Sequence, residues 1–460
     1  MTDDSQDDER NRFSARASRY VRVGTNVGAV AARMAGKRYL GVKYDNAQSA
    51  ADLAAALGGL KGPLMKVAQL MSTIPEALPK EYARELAQLQ NEAPSMGPAF
   101  VRRRMKAELG ADWRRRFANF TDTAVAAASL GQVHRASALD GRALASKLQY
   151  PDMQSAIEAD LAQLKVVFQV HARVSGGVDT KKIFQEISDR LREELDYDLE
   201  ARHTKLYADI FANEDVVKVP TVEDELTTKR LLTMTWLDGK KLLTYKNYPI
   251  GQRNDIARAM FQAWWYPFSH FGVIHGDPHL GNYTVFEDED ATPKGINLLD
   301  YGCIRTFPID FVQGVTDLYF GLLNNDREQV VHAYDTWGFE GLTNDLIDAM
   351  SIWARFIYGP LLDDRVRTIA DETEPGEYGR AEAFQVHRIL REKGPVTIPR
   401  EFVFMDRAAI GLGGVFLHLD AKLNWFQLFN ETIAGFDAAT VAKRQEQYFI
   451  KAGVPLPLSH

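Results

Sequence analysis

The chain has 460 residues and a formal net charge of −7; 45% of its residues are hydrophobic and 25% are charged. At roughly 100–200 residues per domain, this length allows one large bilobed domain with an extension, or two to three domains. The net charge gives no indication of nucleic-acid binding, and the single cysteine, Cys303, excludes an internal disulfide and a cysteine-rich metal site.

The N-terminal region changes from acidic to basic. Residues 1–10 are polar and we expect them to be disordered, whereas residues 11–40 place Arg12, Arg16 and Arg19 on one helix face. A basic amphipathic helix can lie on an anionic membrane surface, but a solvated helix face explains the pattern equally well. Because no run of about 18 apolar residues occurs, we predict no membrane span. The acidic start also predicts no secretory signal.

Helical periodicity follows and then gives way to a hairpin pattern. Helices are predicted over 49–72, 80–91 and 98–109. Strand-like runs over 125–137 and 142–150 flank the turn signal Asp140-Gly141, which predicts a β-hairpin. In the second run Lys147 and the small residue Ala145 lie on the same face of the strand, which leaves space on that face beside the Lys147 side chain.

The rest of the chain is predicted to be mainly helical. Helices are expected over 151–174, 179–213 and 250–271, and strands over 216–222, 231–237 and 296–299. The connector Trp236–Lys240 is interpreted as a hinge between two lobes. The last ~150 residues are predicted to be mostly helices and connecting loops, and contain no recognisable chemistry motif.

The stretch VIHGDPHLGNYTV, residues 273–285, concentrates metal- and proton-handling groups between two strand-like segments. Asp277 and Asn282 lie in its Gly/Pro-rich loop, and Asp300 follows after a strand, a turn and a second strand. Antiparallel pairing of those strands would bring Asn282 and Asp300 together as oxygen ligands of Mg²⁺. Asp277 would then orient or deprotonate a nucleophile. This H-x-D-x-x-x-x-N and D-x-G spacing is that of protein-kinase-type phosphoryl transfer.

Such a site needs a phosphate clamp upstream. Lys147 is the candidate clamp, and Glu200 in EELDYDLEA is the candidate carboxylate that holds it. Asp196 and Glu200 are predicted to share a helix face at i, i+4, whereas Glu194 should point elsewhere on a regular helix. The candidate phosphate loop consists of Ala126, Ala127, Ala128 and Ser129. Glycines would let the backbone amides come close to a phosphate, and the alanine side chains restrict that approach.

Taken together, these motifs resemble the UbiB/AarF (ADCK) family of atypical protein-kinase-like ATPases associated with ubiquinone biosynthesis. The resemblance runs from about Arg12 to at least Arg305. It is carried by AAAS, ASKLQYP, ELDYDLEA, HGDPHLGN and LLDYG, and by KVAQ at residues 66–69, which is similar to the family's K-x-G-Q motif.

The resemblance implies roles for single residues. Lys147 would pair with Glu200, Asn282 and Asp300 would bind the metal, and Asp277 would take the catalytic-loop position. A second set would cover the active site and block a protein substrate: Lys66, Gln69, Glu194 and Asp196. The spacing of Lys66 and Gln69 by itself shows only that one helix face can present both.

Three positions depart from the family pattern. Ala68 replaces the glycine of K-x-G-Q, which can alter the close packing of that helix. Leu280 stands where proline is usual in the catalytic loop, and Tyr301 replaces the phenylalanine of D-F-G. None of these changes removes a proposed ligand.

The predicted fold is α+β, a protein-kinase-like bilobed fold with an N-terminal helical extension. We assign residues 1–110 to the extension, 111–237 to the N-lobe and 238–460 to a mainly helical C-lobe. The predicted cofactors are ATP and Mg²⁺. Expected partners are ATP, quinone precursors or lipids, and a peripheral membrane surface, with no nucleic acid. We expect a cytoplasmic protein that can contact the inner face of the membrane.

Three alternatives are compared with this prediction. A metal-dependent hydrolase would use His275, Asp277 and His279 as ligands, but it explains neither Asn282 nor Lys147. On the kinase interpretation both histidines are structural: one braces the catalytic loop and the other caps or packs. A small-molecule kinase of the aminoglycoside/choline type has a similar catalytic loop. A non-catalytic scaffold that binds nucleotide or lipid is the third alternative.

Overall fold

The computed structural model describes residues 96–127, 130–159, 161–162, 165, 180–339, 341–370 and 399–457. The basic segment, the KVAQ motif, Ala128 and Ser129 therefore lie outside the described residues. The chain divides into two compact units. The first contains the residues up to Asp198 together with Val222–Trp236, and the second contains Leu199–Thr221 and Leu237–His460.

Helices and strands are both abundant, as the α+β prediction requires. The helices are α1 Pro98–Leu109, α2 Thr180–Glu193, α3 Tyr197–Ile210, α4 Ile250–Phe271, α5 Ile309–Asn324, α6 Arg327–Thr336, α7 Asn344–Tyr358, α8 Arg400–Leu419, α9 Trp425–Ile433 and α10 Ala438–Ala452, and residues 153–159 are also helical. The strands are β1 Asn119–Phe120, β2 Ala126–Ala127, β3 Gly131–Ser137, β4 Ala143–Gln149, β5 Val217–Lys218, β6 Leu231–Thr235, β7 Val273–His275, β8 Tyr283–Glu287, β9 Pro293–Leu298, β10 Ile304–Thr306, β11 Val366–Arg367 and β12 Leu423–Asn424. No described helix is long and apolar enough to cross a bilayer.

The first unit is built on an antiparallel sheet. Its strand order is β1-β3-β4-β6, and β2 also pairs with β3. The predicted hairpin is confirmed, because β3 and β4 pair from Gly131↔Gln149 to Ser137↔Ala143. Gly141 turns the chain with a φ of +90°, a conformation that glycine adopts without a steric penalty. On β4 the side chains of Leu144, Ser146 and Leu148 are buried, while Lys147 is half-buried on the opposite face.

A chain of buried hydrogen bonds fixes the position of β3. The Met96 N–H donates to Gln132 Oε1 at 2.7 Å, and Gln132 Nε2 donates to His134 Nε2 at 2.9 Å. His134 must then carry its proton on Nδ1, which donates to the Thr121 carbonyl at 2.8 Å. Burial lowers the pKa of His134. The neutral ring therefore connects β3 to the segment after β1 without placing a charge inside the unit.

The segment predicted as one helix over 179–213 is instead two helices, α2 and α3. Between them the N–H groups of Leu195 and Asp196 bond to the carbonyls three residues back, which tightens the chain out of the α-helix. The Leu195 carbonyl accepts a bond from the Gln149 side chain of β4 at 3.2 Å. Asp196 therefore precedes α3 rather than lying within a helix. The inference that it shares a helix face with Glu200 is wrong, and so is the argument about Glu194 on a regular helix.

The second unit is organised around α4, whose predicted bounds are confirmed. Three small sheets lie in this unit: β5-β9-β8 and the pairs β10-β7 and β11-β12. Trp264 on α4 is fully buried and contacts Tyr283 of β8 edge-on, with ring centroids 5.9 Å apart. Gly272 ends α4 in the left-handed region with a φ of +63°, and a Cβ there would collide with Gln445. Glycine thus allows the chain to turn from α4 directly into β7.

Helix α8 is held against the loop that follows β7. A Cβ on Gly411 would collide with the ring of Pro278, so the helix and the loop are in close contact. Arg253 of α4 donates to the Leu419 carbonyl at the end of α8 at 2.7 Å. Trp353 of α7 donates to Asp406 Oδ1 on α8 at 2.6 Å. Burial of this carboxyl raises the pKa of Asp406 to about 7.

Asp406 therefore predicts a pH-dependent stability. Because its pKa is higher in the folded chain than in the unfolded one, its ionisation destabilises the fold increasingly from about pH 4 to about pH 7. We expect Asp406→Asn, which keeps the acceptor for Trp353, to raise the melting temperature at pH 8 by about 2–4 °C. Near pH 4 the gain should disappear. Thermal melts across this range test the assignment, and an equal gain at both ends would contradict it.

Candidate active site

The β8–β9 hairpin brings two predicted metal ligands to the same end. Tyr283 pairs with Leu298, and the Leu299 N–H donates to the Asn282 carbonyl at 2.9 Å. The predicted strand–turn–strand arrangement is therefore confirmed. Asn282 immediately precedes β8, and Asp300 follows β9 by two residues. Both therefore lie next to the first residue pair of the hairpin, Tyr283 and Leu298.

Asp277 and Asn282 are joined across the catalytic-loop stretch. Asn282 Nδ2 donates to the Asp277 carbonyl at 3.1 Å and to Asp277 Oδ2 at 3.0 Å. With its amide nitrogen held in this way, the Asn282 side chain has its Oδ1 oxygen as the acceptor for a cation. The Asn282 N–H also donates to the His279 carbonyl at 2.9 Å, which closes the loop.

His275 connects the two acidic segments. Its Nδ1 accepts the Asp277 N–H at 3.3 Å, and its Nε2 donates to the Asp300 carbonyl at 2.7 Å. Because a backbone N–H can only donate and a carbonyl can only accept, the ring is neutral with its proton on Nε2. Burial is the largest cause that lowers the pKa of His275, which is 1% exposed. The expectation that one histidine braces the catalytic loop is confirmed.

The second histidine has a local contact only. His279 is exposed, and its Nδ1 accepts the Gly281 N–H at 3.1 Å. Since both ring nitrogens of His275 are used by backbone groups, the three-ligand chelate of the hydrolase alternative is excluded. Among the described residues, no group of three or more His, Cys, Asp or Glu side chains is arranged to hold a metal.

The Asp300-Tyr301-Gly302 turn is anchored to α3. Asp300 Oδ1 accepts the Gly302 N–H at 3.0 Å, and Tyr301 is fully buried with its ring 5.4 Å from that of Tyr207. His203 Nδ1 donates to the Tyr301 carbonyl at 3.2 Å. Tyr207 and His203 lie on the helix that carries Glu200, whose side chain is buried. The sequence did not indicate these anchors, because tyrosine and histidine on a helix are common core residues.

In the first unit, Lys147 lies beside an aromatic ring. It occupies β4 opposite Val133 and Leu232, and its Nζ is 5.2 Å from the centroid of the Tyr197 ring. A Cβ on Gly131 would approach the Leu148 carbonyl at 2.6 Å and Tyr197 Oη at 2.9 Å. A glycine at 131 thus gives Tyr197 room beside β3 and β4. Sequence analysis missed Tyr197, although it lies within EELDYDLEA.

The predicted site residues divide between the two units. Asp277, Asn282 and Asp300 are brought together in the second unit, which also contains Glu200. Lys147 is in the first unit with Ala126 and Ala127, both exposed on β2, and with Glu194 and Asp196. The pairing of Lys147 with Glu200 stays a prediction. Lys66, Gln69, Ala128 and Ser129 lie outside the described residues.

Comparisons with known proteins identify the family of the chain. A family model described as the ABC1 atypical kinase-like domain matches residues 88–334. The mitochondrial atypical kinase COQ8 of Saccharomyces cerevisiae is 30% identical over 254 residues, which cover 55% of this chain and 50% of COQ8. The AarF domain-containing protein kinase 1 of Gallus gallus is 29% identical over 59% of this chain and 52% of its own. The chain thus spans about half the length of these relatives.

A solved structure supports the same fold. The complex of Rv3197 with erythromycin from Mycobacterium tuberculosis superimposes with a TM-score of 0.57 at 26% identity, and the match covers 85% of this chain and 96% of that one. The predicted α+β, kinase-like fold is therefore confirmed. With the family model matching more than half of its residues, the chain belongs to the ABC1 atypical kinase-like family, the UbiB/AarF (ADCK) family that includes COQ8.

Proposed function

We propose that this chain binds ATP with Mg²⁺ and transfers the γ-phosphoryl group to water or to another acceptor. The observation that carries the proposal is the arrangement of Asp277, Asn282 and Asp300 at one end of the β8–β9 hairpin. Two of them are joined by the 3.0 Å bond between Asn282 and Asp277, and His275 connects the backbones of Asp277 and Asp300.

The donor set suits a hard divalent cation. Asn282 supplies an amide oxygen and Asp300 a carboxylate, which are ligand types that Mg²⁺ prefers, whereas no sulfur or imidazole donor takes part. The Asn282–Asp277 bond fixes which atom of the amide is the oxygen donor. When bound, the metal would neutralise charge on the nucleotide phosphates.

Asp277 would act on the nucleophile. One of its carboxylate oxygens, Oδ2, accepts from Asn282, so the side chain is oriented before substrate arrives. A carboxylate held in this way can position a hydroxyl or a water and accept its proton. Its backbone is fixed by His275, and Gly411 of α8 contacts the next residue, Pro278.

The remaining assignments follow from the family resemblance. Lys147 would contact the α/β-phosphates with Glu200 as its partner, and the Ala126–Ser129 loop would cover the nucleotide. Lys66, Gln69, Glu194 and Asp196 would restrict access to the site. The boundary between the extension and the N-lobe at residue 110, and that between the N-lobe and the C-lobe at residue 237, are proposed on the same basis.

The physiological role proposed is support of ubiquinone, or isoprenoid quinone, biosynthesis. The resemblance to the UbiB family and the similarity to the mitochondrial atypical kinase COQ8 support it. Contact with the inner face of a membrane would be peripheral, and the basic residues 11–40 are the proposed contact.

The metal site predicts how nucleotide binding responds to Asp300→Asn. A ligand at about 100 times its Kd stabilises a protein by about 2.7 kcal/mol, so MgATP should raise the melting temperature of the wild type by several degrees. Asp300→Asn should abolish this rise. Asp290→Asn, which removes an exposed carboxylate from the opposite end of the same hairpin, should retain it. A full rise in the Asp300 variant would refute the metal site.

Turnover in the presence of acceptors distinguishes the possible activities. We expect MgATP hydrolysis that increases with anionic vesicles and with phenols resembling quinone precursors, and that loses the vesicle response without residues 1–40. A phosphorylated phenol would instead identify a small-molecule kinase. Nucleotide binding without any turnover would identify a scaffold.

The same assay tests the proposed cover. Lys66→Ala should change ATP hydrolysis or autophosphorylation, because it would open access to the site. Lys61→Ala, which removes the same charge outside the motif, is the matched control. Identical rates in both variants would indicate that Lys66 lies on an exposed helix face.

A further inference from the structure

The second unit contains an open groove between the end of α4 and one face of α10. The groove has a volume of about 540 Å³. The α10 side is a stripe at helical spacing made of Thr440, Lys443, Arg444, Gln447 and Tyr448. The α4 side is formed by Tyr266, His270 and Phe271. None of these residues belongs to the proposed nucleotide site.

The two walls of the groove are fixed by buried contacts. Gln445, which is 5% exposed, donates from Nε2 to the carbonyls of Phe271 and Phe307, both at 2.9 Å. The rings of Phe271 and Tyr448 lie 4.7 Å apart between centroids. Because α10 is tied to the end of α4 in this way, the groove exists without a ligand to organise it.

The lining is rich in hydrogen-bond donors and has no carboxylate. Lys443 and Arg444 provide two positive charges, and within the described residues neither has a carboxylate at ion-pair distance. The acid that interacts with Lys443, Asp437, accepts the Thr440 N–H at 2.8 Å as the cap of α10. Burial, and then the charge of Arg444, lower the pKa of His270. The lining itself therefore carries two positive charges and no negative charge, which favours an anion, and the carboxylate whose charge acts on its α4 side, through Tyr266, is Glu214.

The aromatic side of the groove indicates what carries the anion. The guanidinium carbon of Arg444 lies 5.7 Å from the centroid of the buried Phe271 ring, and this ring contacts the half-buried Tyr448, so charge and aromatic residues are adjacent. The rings of Tyr266 and His270 are tilted relative to each other with centroids 4.4 Å apart, and Tyr266 is only half-buried. A ligand that combines an anionic group with a flat apolar body would satisfy both parts.

We propose that this groove binds a phosphate ester, with the phosphate at Lys443 and Arg444 and its apolar part against the half-buried rings of Tyr266 and Tyr448. Phosphate fits better than carboxylate because it presents three oxygens to a set of ammonium, guanidinium, hydroxyl and amide donors. The source is either a soluble phosphomonoester or the headgroup of an anionic lipid, which share this chemistry.

Calorimetric titration of the full chain with phenyl phosphate tests the site. We expect saturable binding that Lys443→Ala and Arg444→Ala each weaken roughly tenfold, the loss of one charge-assisted hydrogen bond. Lys422→Ala, which removes an exposed charge elsewhere in the unit, should bind as the wild type does. Lys147→Ala should also retain binding, which separates this groove from the nucleotide site. Lys443 is exposed, so its variant should fold normally.

Two further binding measurements identify where the phosphate ester comes from and define the results that would overturn the proposal. Inorganic phosphate should bind more weakly than phenyl phosphate if the aromatic residues of the groove contribute to the binding affinity. Vesicles containing phosphatidate should displace phenyl phosphate if the source is a lipid headgroup, and should not if it is soluble. Absence of phenyl phosphate binding, equal binding by the Arg444 and Lys422 variants, or loss of binding in Lys147→Ala would overturn the proposal.

Discussion

The geometry of the candidate site depends on one buried imidazole. His275 holds the backbone of Asp277 through one nitrogen and that of Asp300 through the other. A protonated ring would offer two donors and would lose the Asp277 N–H, so the bridge exists only in one neutral tautomer. Burial against Trp264 favours that state, because a charged imidazole would be desolvated. The backbone segments that carry the Asp277 and Asp300 side chains are therefore held relative to each other by the same side chain.

Neutral contacts also connect this site to the helices of its unit. Tyr301 packs against Tyr207 of α3, Gly411 of α8 contacts Pro278, and Trp264 of α4 contacts His275. Such contacts work at short range and tolerate little change in volume, so they hold the loop in one position. Exposed ion pairs such as Arg327–Asp348 contribute little by comparison. Neutral residues thus provide these contacts between the candidate site and the helices of its unit.

The sequence predicted the elements in which local pattern determines structure. The Asp140-Gly141 hairpin, helix 250–271 and the strand pair between Asn282 and Asp300 were all confirmed. These depend on turn chemistry and side-chain periodicity, which a single sequence contains. Kinase-type spacing also predicted the grouping of Asp277 and Asn282, because five residues in a tight loop keep the two side chains close.

What the sequence could not predict depends on distant contacts. The break at 194–196 interrupts a segment with strong helical periodicity, and the Gln149 side chain that bonds there is 46 positions away along the chain. The positions of Tyr197 beside Lys147 and of Gly411 on Pro278 likewise result from packing between remote segments. The raised pKa of Asp406 follows from burial, which no local pattern indicates.

The most direct test of this account is the MgATP turnover of His275 variants. His275→Phe removes both hydrogen bonds while keeping an aromatic ring, whereas His275→Asn and His275→Gln can each keep one of them. We expect the Phe variant to lower kcat by roughly 10–100-fold, as loss of a supporting partner does at other sites, with smaller losses for Asn and Gln. His279→Phe, which removes only the Gly281 contact, should cost much less. Equal losses in the Phe variants at 275 and 279, or an unchanged kcat in His275→Phe, would contradict the central role assigned to this residue.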